Sequence, residues 1–102
     1  MIDLVYKMIK SKFKVKNLSL EKNRIILDGY YLSIYTKGNY ITLKITCSEW
    51  KITRTYFKLD KNNKLLSQDN IINKIYNTIL YCIYNNNLDY IINTTIDKIP
   101  LF

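Results

Sequence analysis

The chain has 102 residues, 16 basic and 8 acidic, for a formal charge of +8, and it contains no histidine. With 48% hydrophobic residues it has enough to bury and is not generically disordered, and two glycines and one proline exclude a collagen-like or linker composition. Its longest uninterrupted apolar run, Ile79 to Tyr84, falls far short of the roughly 18 residues that a spanning helix needs.

Residues 2–12 place Ile2, Val5, Tyr6 and Ile9 at helical spacing, with Phe13 one turn further, and predict a short amphipathic helix. Lysines punctuate this segment and leave it without a continuous apolar stretch or a small-residue cleavage site, so a signal peptide is not expected and the protein reads as intracellular.

The stretch 18–59 predicts a β-meander. Leu18 and Leu20 alternate with polar neighbours, and Glu21-Lys22-Asn23 reads as a turn. Arg24–Asp28 is a short apolar strand closed by Asp28-Gly29, a strong turn dipeptide. Tyr30–Tyr35 and Tyr40–Thr46 are β-branched and aromatic runs around a short loop containing Gly38, the pattern of a hairpin. Trp50–Leu59 is a further long strand. It does not keep one phase: Trp50, Ile52 and Tyr56 share a register while Phe57 and Leu59 take the other, so a bulge near Arg54-Thr55 is expected.

From residue 67 the pattern turns helical. Ser67 or Asp69 can cap a helix in which Ile72, Ile75, Tyr76, Ile79, Cys82 and Ile83 form a stripe, broken by Asn85-Asn86-Asn87. Leu88, Ile91, Ile92, Thr95, Ile96 and Ile99 make a second stripe that Pro100 stops. The expectation is a single domain over 1–102 of class α+β: an N-terminal helix, a four- or five-stranded antiparallel meander and two C-terminal helices packed on one sheet face.

That packing leaves a second sheet face. If Ile41, Leu43 and Ile45 meet the helices, then Tyr31, Tyr35, Tyr40 and Lys44 point to water. Tyrosine rings offer rigid amphipathic area suited to binding. These four are the candidate protein-binding residues. An exposed strand edge, or a groove between sheet and C-terminal helices, is a further route to a protein or peptide partner. The uncharged run from Gly29 to Tyr35 must be covered by its own fold, by a partner or by self-association.

The basic cluster Lys7, Lys10, Lys12, Lys14 and Lys16 is the candidate nucleic-acid-binding set, with tyrosines stacking on bases. Fourteen of the 16 cations are Lys, with only Arg24 and Arg54 otherwise. AT-rich codons favour Lys, so part of the charge reflects codon usage. This places nucleic acid second to a protein partner.

Without histidine there is no imidazole base, no His–metal site and no Ser-His-Asp or Cys-His arrangement. The two glycines stand apart and form no phosphate loop. Cys47 and Cys82 have no second pair for a metal and read as buried free thiols, a disulfide between them being the alternative in an oxidising compartment or a hyperthermophile. Asp28 and Glu49 read as turn residues rather than a catalytic pair. The expected function is therefore non-enzymatic, with no cofactor and no metal.

Ile/Lys/Asn/Tyr stretches such as Asp69-Asn-Ile-Ile-Asn-Lys-Ile-Tyr-Asn77 give the chain a composition that resembles the small orphan proteins of AT-rich filamentous viruses of hyperthermophilic archaea. The resemblance implies an accessory intracellular protein with no catalytic residues to carry over.

Overall fold

A computed structural model describes residues 1–85 and the strand 95–98. Helix α1 (Ile2–Lys12) leads into β1 (Leu18–Glu21), β2 (Arg24–Leu27), β3 (Tyr30–Lys37), β4 (Tyr40–Thr46) and β5 (Trp50–Phe57). Helix α2 (Gln68–Ile79), a π-helical turn (Leu80–Tyr84) and β6 (Thr95–Lys98) follow. The class is α+β, and the strands form a six-stranded antiparallel sheet in chain order.

Local chemistry sets these boundaries. Asp3 in the first turn of α1 and Lys10 and Lys12 in its last turn oppose the helix dipole. Phe13 then turns extended and ends the helix. Asp28 and Gly29 have φ of 44° and 88°. Positive φ at both central residues is what the tightest hairpin turn requires. Asp28 Oδ1 also accepts the Asn17 N–H at 2.8 Å, tying the turn to the entry of β1. Gly38, at φ 56°, serves the β3–β4 turn. Of the two caps that the sequence offers, Ser67 is the one used: it caps α2 by accepting the Asn70 N–H.

One face of the sheet is the core. The register aligns Ile25 with Leu32, Leu32 with Ile45, and Ile45 with Ile52. These residues share one buried cluster with Val5, Met8 and Ile9 of α1 and with Ile71, Ile75 and Ile79 of α2. Met8 and Ile71 are buried core residues outside the predicted stripes, while Ile72 is only partly buried.

Two expectations need correction. The pairing of β4 with β5 runs without a break from Tyr40↔Phe57 to Thr46↔Lys51, so no bulge occurs there. Phe57 instead lies on the open face, 42% exposed. Second, residues 95–98 of the predicted second C-terminal helix form β6, paired from Trp50↔Lys98 to Thr53↔Thr95. Edge pairing satisfies the outward backbone groups of β5, and that outweighs a weak local helical pattern. The rest of that predicted helix, residues 88–94 and Ile99, lies outside the described residues.

Candidate functional site

Strand alternation places Arg24, Tyr31, Ser33, Tyr35, Lys37, Tyr40, Thr42 and Lys44 on the face opposite the core, through the pairs Arg24↔Ser33, Ser33↔Lys44, Tyr35↔Thr42 and Lys37↔Tyr40. All four predicted protein-binding residues are therefore on one surface. Tyr31, Tyr35 and Tyr40 are 42%, 50% and 53% exposed, and Lys44 is exposed.

The rings are held by their neighbours. The Arg24 guanidinium lies 4.8 Å from the centre of the Tyr31 ring, and Lys44 Nζ 5.3 Å from that of Tyr35. Both are within cation–π range. Tyr40 packs against Phe57 across the strand pair with centroids 5.0 Å apart. The hydroxyls of Thr42 and Thr55 meet at 3.3 Å beside them. Lys37, Asn39, Tyr40 and Phe57 help to line a shallow depression at this end of the face. Arg24 and Phe57 thus belong to the surface although sequence reasoning did not select them. The signal was there: both keep the outward phase of their strands once β5 is read without a bulge.

The charge of this face is positive. Strands β1–β5 contain a single carboxylate, Glu21. It accepts from Arg24 Nε at 2.8 Å on a half-exposed surface. Lys37 and Lys44 have no such partner among the described residues.

The helical part of the lysine cluster is elsewhere. Lys7, Lys10, Lys12, Lys14 and Lys16 are all exposed. Lys7, Lys10 and Lys12 ride on α1, whose buried side packs into the core, so they belong to the helix layer rather than to the tyrosine face. Lys12 Nζ sits 4.7 Å from the Tyr76 ring of α2. On the same side Phe13 stacks on Tyr84 at 4.4 Å and on Tyr76 at 5.2 Å. The fold separates Lys7, Lys10 and Lys12 from the predicted stacking rings.

Other candidate chemistry is accounted for locally. Cys47 and Cys82 are free thiols. Burial pushes the Cys82 thiol up to about 11, against a smaller downward pull from Arg54. Burial also raises Tyr30 and Tyr84 above the usual phenol value. Among the described residues no group of His, Cys, Asp and Glu is placed to hold a metal ion. No described helix is long and apolar enough to cross a membrane. In the uncharged run Gly29–Tyr35, Tyr31, Leu32 and Ser33 are paired on both sides, by β2 and β4, while Tyr30 pairs with β2 alone and Ile34 and Tyr35 with β4 alone.

No protein-family model, no curated protein and no solved structure matches this chain.

Proposed function

We propose that the protein is a non-enzymatic binding module that engages an acidic protein surface through the open tyrosine face of its sheet. The observation that supports this most is the set of three half-exposed tyrosines on one sheet face, each in contact with Arg24, Lys44 or Phe57. Side chains already ordered lose little entropy on binding, and aromatic anchors dominate interface energetics. The positive surround favours a negatively charged partner and speeds its approach. Such a module suits an intracellular accessory protein of the viral kind that the composition resembles.

Nucleic acid is the second reading. The exposure of all five lysines from Lys7 to Lys16 favours it. Against it, bases stacking on Tyr31 or Tyr35 would have to displace Arg24 or Lys44 from the rings, and Lys7, Lys10 and Lys12 sit on the helix layer.

Selection from a random peptide-display library tests the proposal. Wild-type protein is expected to enrich acidic, aromatic-bearing peptides, and the Tyr31→Ser, Tyr35→Ser, Tyr40→Ser triple variant is not. Equal enrichment by both would refute the assignment. A parallel titration with single- and double-stranded oligonucleotides at low and moderate salt decides the ranking. Steep salt-dependent affinity that disappears on changing Lys12, Lys14 and Lys16 to Ala would place nucleic acid first.

A further inference from the structure

Arg54 stands where the sheet calls for an apolar side chain. It lies between Ile52 and Tyr56 on the helix-facing side of β5 and pairs with Leu43. Those three neighbours are buried, Ile52 and Leu43 completely. Arg54 is itself partly buried, yet no carboxylate among the described residues forms an ion pair with it. The neutral thiol of Cys82 senses its guanidinium. A partly desolvated cation without a counter-charge opposes folding, and a methionine of similar length would fill the position without that penalty. Packing therefore does not explain the charge.

The surroundings do. Described pairing with β6 ends at Thr53. Beyond it, β5 forms one wall of a depression of about 410 Å³, and α2 forms the other. Lys74, Asn77 and Tyr81 reach it from one side of the helical segment, and residues 54–57 line it from the strand, Thr55 and Phe57 with their side chains turned to the open face. The walls are fixed to each other because the Tyr56 hydroxyl bonds to the Lys74 carbonyl and to the Thr78 hydroxyl. The lining holds two cations and no carboxylate.

We propose that this depression binds the phosphate group of a phosphate monoester, gripped by the Arg54 fork and the Lys74 ammonium, with the organic substituent against Tyr81. A guanidinium matches two oxygens of a tetrahedral oxyanion, and a second cation suits the dianion. Asn77 adds a neutral donor, and the Tyr81 ring gives an aromatic substituent somewhere to lie. The site depends on Arg54 and Lys74, not on the tyrosine face, so it stands whether or not the open face binds a protein.

The test is a titration with phenyl phosphate and with inorganic phosphate at constant ionic strength. It is followed by NMR at the Arg54 Nε–H and the amides of residues 54–57 and 74–81. Phenyl phosphate is expected to give saturable shifts there and to bind at least fivefold more tightly than inorganic phosphate. Arg54→Met and Lys74→Met are each expected to weaken it at least tenfold. Lys44→Met, on the open face, should change it less than twofold. Lys74 is exposed, so its variant carries the test if Arg54→Met does not fold. Shifts that never saturate, equal weakening by Lys44→Met, or inorganic phosphate binding as tightly as phenyl phosphate would overturn the assignment.

Discussion

A phenol and a thiol in the core show what burial demands of polar atoms. Tyr56 is 7% exposed, and its hydroxyl finds the Lys74 carbonyl and the Thr78 hydroxyl, so β5 is bonded to α2. Tyr56→Phe is expected to cost about 1 kcal/mol, the net worth of a buried neutral hydrogen bond, measured by urea unfolding. Cys82, 1% exposed, has no comparable partner among the described residues and simply stays neutral, its pKa raised to about 11 from the usual thiol value of 9.0. The sign follows directly. Below pH 9 both folded and unfolded thiols are protonated, and the contribution of Cys82 is fully present. As pH climbs from 9 to 11 only the unfolded thiol ionises, so stability falls, by about 2–3 kcal/mol in all. Cys82→Ala should flatten that part of a stability-versus-pH curve. A residual decline should remain as the pH passes the usual phenol value of 10.0, because Tyr30 and Tyr84 are raised too.

Elements differ in how plainly the chain announces them. Strands β1 to β4 are legible because period-two alternation is punctuated by dipeptides whose backbone needs are specific, Asp28-Gly29 above all. Gly29 has open space where a Cβ would stand, so its role is purely conformational. Gly29→Ala is expected to cost about 1–2 kcal/mol through the left-handed backbone alone, seen as a lower denaturation midpoint with an unchanged slope. Helix α2 is legible from its Ser67 cap and its apolar spacing. Ser67→Ala should cost about 1 kcal/mol and Ser67→Gly only a few tenths. β6 is not legible: Thr95, Ile96 and Ile99 continue a helical spacing, and what decides the matter is an unpaired strand edge formed by residues over forty positions earlier in the sequence. The π-helical turn at Leu80–Tyr84 has no sequence signal of its own. In β5 the partial burial of Arg54 is equally hidden, since alternation alone suggests a defect there and the defect does not exist.

At the scale of the whole molecule the sheet divides two chemistries. Isoleucines and leucines seal one side against α1 and α2, and tyrosines, threonines and cations occupy the other. That division was readable from phase alone for Tyr31, Tyr35, Tyr40 and Lys44. The distance of Lys7, Lys10 and Lys12 from those rings was not, because phase within a strand says nothing about which layer a preceding helix joins. The division also sets how mutations should behave. Leu43, fully buried at the centre of β4, is expected to cost about 2–5 kcal/mol as Leu43→Ala, since the removed methyl groups leave a cavity in a packed core. Tyr31→Ser, Tyr35→Ser and Tyr40→Ser remove larger groups, yet each loses only a cation–π or ring contact on a wet surface, about 0.5–1 kcal/mol. Urea unfolding of the four single variants separates the cases. Tyrosine variants as damaging as Leu43→Ala would mean that the face is packed rather than free, and a surface that folding itself consumes has nothing left to offer a partner.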